Sequence, residues 1–271
     1  CSAPFESLEV LETGMLYLCC PGWLPVPSGN IHVQSPEEAW NSFAARNIRR
    51  AILDGSFAYC SSHCPKLSRG ELPKAREVQD PVMREVIEKK LVTLPFGPRR
   101  VNTGFDRTCN LSCPSCRTEV IHSRAKHRAR AEEVHGRILE WARKDLETLY
   151  VTGSGDPFAS PLYRRLLANL DPERFPKAGL KLHTNALLFT PKVWDSMRAM
   201  HTRIRSFEVS IDAATPETYR VVRRGGEFEA LRERLAFIRS IRAEGFIERL
   251  QFSFVVQATN FREMPAFVDL G

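Results

Sequence analysis

Three cysteines crowd into one short run of this 271-residue chain, Thr108-Cys109-Asn110-Leu111-Ser112-Cys113-Pro114-Ser115-Cys116-Arg117, and no other feature restricts the fold as sharply. Thiolates at Cys-x3-Cys-x2-Cys spacing on one tight loop can bind three irons of a cubane cluster and leave the fourth iron open. An open iron is what a catalytic cluster needs, because a cosubstrate must coordinate there. The other five of the eight cysteines lie at 1, 19, 20, 60 and 64, and none follows 116. An even count suits disulfides in a secreted protein. Here, however, the start of the sequence lacks a basic region followed by an apolar run, and no stretch approaches roughly 18 uninterrupted apolar residues. Metal ligation is therefore expected, and a cytoplasmic rather than a membrane or secreted setting. Thiolates select zinc or iron–sulfur clusters, so a zinc site with His122 or His127 as fourth ligand is the competing reading of the loop.

The chain divides by pattern into three parts. Residues 1–64 carry short apolar stretches, Pro and Gly punctuation and one helical segment over 36–54, opened by a capping box in Ser35 and Glu38. So small a unit buries little core and needs a metal staple. Residues 65–98, with five prolines around one helix at 81–91, read as a linker. From 99 onward, strands at 99–105, 147–153, 179–184, 205–211 and 249–256 alternate with amphipathic helices, which implies parallel strands joined by right-handed crossovers. Cys1 leads through Ser2-Ala3-Pro4-Phe5 straight into the strand-like Leu8-Glu9-Val10 with no tether, so the sequence reads as a segment of a longer chain rather than a processed lipoprotein. The formal charge is +7, but Lys and Arg interleave with Asp and Glu on helices such as 124–148 and 229–249. Solvated helix faces account for that balance, and a nucleic-acid partner is not expected.

From the cysteine loop onward the residues resemble the radical S-adenosylmethionine (SAM) superfamily, in which this loop follows the first strand of a partial (β/α)6 barrel. After the second strand, Gly153-Ser154-Gly155-Asp156-Pro157 is similar to the family's glycine-rich segment, which implies close backbone approach to the methionine amine with Asp156 as a nearby carboxylate. His183-Thr184-Asn185-Ala186 resembles the third strand end. Ser210-Ile211-Asp212 resembles the fourth, implying that Ser210 and Asp212 meet the ribose and methionine portions. Val255-Val256-Gln257, with Asn260 after it, lies at the level of the fifth. Ordinary structure explains each strand end alone, but not all of them in this order behind the loop. Ser115 stands where many members place an aromatic residue against adenine, which leaves Val256 as the candidate for that packing. The resemblance implies an α/β fold over 99–271, a radical SAM barrel cut short after its fifth strand, with a small cysteine-rich α+β domain before it.

Cys1, Gly14 and Cys19, followed by Ser28-Gly29-Asn30-Ile31, Glu38-Ala39-Trp40-Asn41, Ile48-Arg49 and Cys60-x3-Cys64, resemble the SPASM or twitch domain. This implies that Cys1, Cys19, Cys60 and Cys64 hold an auxiliary [4Fe–4S] cluster, with Cys20 an alternative to Cys19. That domain usually follows the barrel rather than preceding it, and a structural four-cysteine zinc site is its competing reading. The combination implies a radical SAM enzyme. Cys109, Cys113 and Cys116 would hold the catalytic [4Fe–4S] cluster, and Gly153, Ser154, Gly155, Asp156, Pro157, Thr184, Asn185, Ser210, Asp212, Val256 and Gln257 would surround S-adenosylmethionine. A one-electron reductant such as flavodoxin or ferredoxin would start hydrogen abstraction from a peptide or protein substrate. Tailoring of a sugar or other small molecule is the alternative, and a zinc-stabilised nucleic-acid-binding or scaffold protein the non-enzymatic one. His201, Arg203, Arg223 and Arg224 lie near the fourth strand or its loop, divided between surface and substrate roles.

Overall fold

The computed structural model describes residues 1–151 and 154–270. It resolves into two compact units, one formed by residues 1–105 and 132–147 and the other by 106–131 and 148–271. Among the described residues no helix is long and apolar enough to cross a membrane.

In the first unit, strands β1 (Ser7–Leu11), β2 (Met15–Tyr17) and β3 (Gly29–Asn30) run antiparallel in succession. Strand β4 (Arg100–Gly104) pairs parallel with β1, with Ser7 opposite Arg100 and Leu11 opposite Gly104. The β1–β2 turn needs Gly14: its φ is +81°, and a Cβ there would lie 2.4 Å from the His32 ring. Arg99 gathers three acidic residues, reaching Glu6 (3.2 Å), Asp80 (2.7 Å) and Glu147 (2.8 Å).

The expected helix over 36–54 is two helices, Pro36–Trp40 and Phe43–Leu53. The capping box is present, with Glu38 N–H on Ser35 Oγ and Ser35 N–H on the Glu38 carboxylate. The break falls at Asn41 because its side chain serves tertiary contacts. Its amide donates to Leu94 O (2.9 Å), while its oxygen accepts from Leu94 N (2.9 Å) and Arg49 Nη1 (3.0 Å). Ser42 then caps the second helix through Ala45 N. Arg49 is fully buried over the Trp40 ring and also donates to Pro4 O and Val92 O, so its charge is spread over backbone and amide oxygens. The 81–91 helix is present as Pro81–Glu88, capped by Asp80.

In the second unit β5 (Thr148–Val151), β6 (Gly179–Thr184), β7 (Ile204–Ser210) and β8 (Ile247–Ser253) form a wholly parallel sheet. The intervening chain carries helices Pro161–Asn169, Pro191–Ser196, Pro216–Val222 and Phe228–Ala243. Leu149, Val151, Leu180, Leu182, Phe207 and Val209 alternate along the strands and are buried. The Phe158, Phe189 and Phe207 rings meet in that core, Phe189 lying 4.8 and 4.9 Å from the other two. The opposite face is polar and half-buried, with Tyr150, Lys181, His183, Glu208 and Gln251 on it. Strand β8 stops at Ser253, short of the expected 256, because Val255 N–H turns to the Asp212 carboxylate (2.7 Å) instead of a ladder partner.

His135 sits edge-on to Phe105 (5.7 Å), and its buried Nε2 has no hydrogen-bond partner. Burial pulls its pKa down from 6.5 to about 4. Between those two pH values the unfolded chain binds a proton that the folded chain does not, so stability falls as pH drops through this window. The expected loss is about 3 kcal/mol from this residue. Urea unfolding of wild type and His135→Phe at pH 7 and pH 4.5 checks it: the substitution should remove that part of the pH dependence.

Candidate functional site

The cysteine loop is positioned by buried polar groups before its thiols are considered. Asp106, 2% exposed, accepts from Thr108 N (2.9 Å), Thr108 Oγ1 (2.6 Å) and Ser160 Oγ (2.6 Å), while its own N–H meets the Tyr163 hydroxyl (3.1 Å). Thr108 Oγ1 in turn accepts from Ser123 N (3.0 Å). Farther along, Cys109 pairs with Ile121 through its N–H (3.0 Å), and Ser112 N–H reaches Arg224 O (3.0 Å). Cys116 N and Arg117 N both donate to Cys113 O at 2.9 Å, closing the turn that carries the last two cysteines.

Asp156 fastens the neighbouring segment. Its N–H donates to Thr108 O (2.8 Å). One carboxylate oxygen accepts from Phe158 N (3.0 Å) and Ala159 N (3.2 Å), the other from Thr184 Oγ1 (2.7 Å) and Asn185 N (2.9 Å). Burial pushes the pKa of this carboxyl up and the four donors oppose the shift. Both oxygens are thus engaged from within the protein, and Asp156 ties the segment after β5 to the end of β6. Gly155 packs so closely on the cysteine loop that a Cβ would lie 2.4 Å from Thr108 O and 2.7 Å from Asp106 O. Its small size is demanded by that backbone contact.

Two residues at the strand ends adopt left-handed backbone conformations without being glycine, Ala186 at φ +65° after β6 and Asp212 at φ +62° after β7. Such conformations cluster where a site over-determines the backbone. Asn185 Nδ2 donates to Asn110 Oδ1 (2.9 Å) and approaches Cys109 Sγ (3.8 Å). Ser210 Oγ meets His183 Nε2 (2.6 Å) and accepts from Ser253 Oγ (3.2 Å). Asp212, 1% exposed, pairs with Arg223 Nη2 at 2.8 Å.

These elements surround one cavity of about 200 Å³, lined by the three loop cysteines together with Ser154, Gly155, Asp156, Thr184, Asn185, Ser210 and others. The structure therefore brings together residues that the sequence placed at separate strand ends. Asp212 lies just behind the wall through Arg223, which does line the cavity. Pro157 is buried outside it, Gly153 falls outside the described residues, and Val256 is 57% exposed and away from the lining. Gln257 is also away from it, its N–H capped by Asn260 Oδ1 (2.6 Å). Sequence reading missed Asp106, whose signal was an Asp two residues before a Thr at the loop's start, and left Arg223 undecided.

In the first unit Cys1, Cys19, Cys60 and Cys64 line one small cavity with Trp23, Leu24, Phe57 and Lys66, whereas Cys20 is exposed and outside it. Burial first, then the neighbouring thiols, pushes Cys19 up to about 11. Such thiols become thiolates when a metal displaces the proton. Among the described residues no three His, Cys, Asp or Glu side chains are close enough to share one ion. Four thiols facing one cavity in the first unit and three facing another in the second are donor sets of the soft sulfur type that iron–sulfur clusters take.

A model of the radical SAM superfamily matches residues 105–270, and a model of the SPASM iron–sulfur cluster-binding domain matches residues 1–65. Among solved structures, that of Streptococcus suis SuiB bound to S-adenosylmethionine is similar at 16% identity with a TM-score of 0.39, over 86% of this chain. The chain spans 59% of the length of that protein. No curated protein matches the chain.

Replacing Gly155 by Ala forces a methyl group against two backbone carbonyls that cannot yield. We expect a loss of about 1–3 kcal/mol in urea unfolding and a fall in iron bound per chain after anaerobic reconstitution, measured together on the same preparation.

Proposed function

This chain belongs to the radical SAM superfamily, and from that premise we infer that it generates a 5'-deoxyadenosyl radical at the second unit's cavity and uses it to take a hydrogen atom from a peptide or protein substrate. The superfamily domain takes a [4Fe–4S] cluster and S-adenosylmethionine, and the SPASM match implies an auxiliary iron–sulfur cluster. The observation that carries the reading is the single cavity on which the loop cysteines meet the ends of β6 and β7 and the segment after β5. Membership sets aside the non-enzymatic zinc scaffold.

Held by Cys109, Cys113 and Cys116, a [4Fe–4S] cluster would supply the one-electron chemistry that cleaves S-adenosylmethionine to methionine and a 5'-deoxyadenosyl radical. The chain's own residues hold, orient and shield. Cys109, Cys113 and Cys116, which line that cavity together, would be the cluster's three protein ligands. The first two are buried and the third is exposed, so the loop faces outward at one corner. Ser154, Gly155, Thr184, Asn185 and Ser210 form the walls, and Asp156 fixes two of those walls against each other. Cys1, Cys19, Cys60 and Cys64 form the closed auxiliary set. A reductant of the flavodoxin or ferredoxin class delivers the electron.

The polar, half-buried face of β5–β8 supports a polar substrate, since Tyr150, Lys181, His183, Glu208 and Gln251 offer donors and acceptors rather than apolar surface. The SPASM match favours a peptide among polar candidates, because relatives with that domain often modify peptides. Full loading should give about eight irons per chain with matching sulfide, four from each cubane. Cys116→Ala should abolish 5'-deoxyadenosine formation under dithionite. Cys60→Ala should retain it while losing turnover of substrate. Chromatography of the nucleoside product checks the first pair of outcomes, and mass spectrometry of candidate peptides from neighbouring reading frames checks the last. Formation of 5'-deoxyadenosine by Cys116→Ala at the wild-type rate would sink the assignment.

A further inference from the structure

Each of the three loop sulfurs is approached by a side-chain N–H from a different residue. Arg117 Nη2 lies 3.4 Å from Cys116 Sγ, Arg223 Nη1 lies 3.8 Å from Cys113 Sγ, and Asn185 Nδ2 lies 3.8 Å from Cys109 Sγ. Two of the three donors are cations. None is loosely held. Arg117 also donates to Arg107 O (2.8 Å) and Ser154 O (2.6 Å), bridging the loop to the neighbouring segment. Arg223 is 12% exposed and is clamped by Asp212, itself fixed by Val255 N and by the Asn260 amide on its carbonyl. The planar guanidinium fork makes this possible, because one nitrogen faces the carboxylate while the other faces the sulfur.

Three thiolates on a dicationic cubane core carry one net negative charge, and one-electron reduction makes it two. Hydrogen bonds to cluster sulfurs and nearby positive charge stabilise the more negative state, so they raise the reduction potential. We propose that Arg117 and Arg223 are positioning residues that set the reduction potential of the catalytic cluster, acting through Cys116 and Cys113; this rests on the reading of those cysteines as its ligands. Asp212 offsets part of the Arg223 charge but leaves its N–H aimed at the sulfur. The arrangement also connects the cluster to the β7 end and to the segment after β5, the two walls from which the donors are held.

The test is an anaerobic redox titration of the full chain with both clusters loaded, following by electron paramagnetic resonance the signal that changes on adding S-adenosylmethionine. Arg117→Gln and Arg223→Gln should each move its midpoint to more negative potential with iron and sulfide content unchanged, and Arg223→Met should move it farther. For Arg223→Met we expect at least a tenfold fall in the reduced-to-oxidised ratio at a fixed potential, which is 59 mV for one electron. The double variant Arg117→Gln/Arg223→Gln should shift by about the sum, since the two act on separate sulfurs. Arg223→Met leaves Asp212 buried without its counter-ion, so Arg117→Gln is the arm that disturbs no buried pair. An unchanged midpoint in loaded Arg117→Gln, or in loaded Arg223→Met, overturns the proposal. Cys113→Ala separates the two levels. If it keeps the S-adenosylmethionine-responsive signal, the ligand reading fails; if it loses the signal while the arginine variants titrate as wild type, only the tuning role fails.

Discussion

Two buried carboxylates organise the second unit, and the rest of its site follows from satisfying them. Asp106 and Asp156 are 2% and 1% exposed, a costly state for carboxylates unless donors surround them. Asp106 finds its donors in Thr108 and Ser160, Asp156 in Phe158, Ala159, Thr184 and Asn185. Between them they join the cysteine loop, the segment after β5 and the end of β6. The bond from Asp156 N to Thr108 O completes the connection. The loop also buries Cys109, Leu111 and Cys113 as one small apolar cluster with Leu187 against it, and the hydrogen bonds to the Asp106 carboxylate fix its direction.

The same economy explains why left-handed residues appear where they do. Asp212 at φ +62° turns its carboxylate toward Arg223 and Val255 N, and its carbonyl toward the Asn260 amide. An isolated residue would not hold that conformation cheaply, but three partners from two later segments over-determine it. The strained backbone at the end of β7 is thereby coupled to an arginine on the cavity wall. Local geometry and site electrostatics are one arrangement here.

The first unit solves a different problem. Its sheet is short, and much of its order comes from polar side chains that reach across sequence: Arg49 to Pro4 O and Val92 O, Asn41 to residue 94, and Arg99 to Glu6, Asp80 and Glu147. Cys1, Cys19 and the Cys60–Cys64 pair come from three places in this framework yet line one cavity. The parallel pairing of β1 with β4 was not legible beforehand, because a five-residue strand carries no signal of which distant strand it joins.

The sequence by itself determined what depends on neighbours along the chain. The Cys-x3-Cys-x2-Cys loop, the capping box at Ser35 and the alternation of strands with helices after residue 99 could all be read from spacing and residue type. Each follows from local backbone sterics or side-chain period. What only the tertiary structure decided was pairing over long separations. Arg223 is 110 residues from Cys113, so no local rule distinguished it from Arg224 or from a solvated helix face. Asp156 could be placed near the site, but its saturation by four donors depends on Thr184 and Asn185 arriving from another strand. The end of β8 was not legible for the same reason: strand propensity continues to 256, whereas the strand stops at Ser253 and the Asp212 carboxylate, a tertiary acceptor, takes the N–H of Val255.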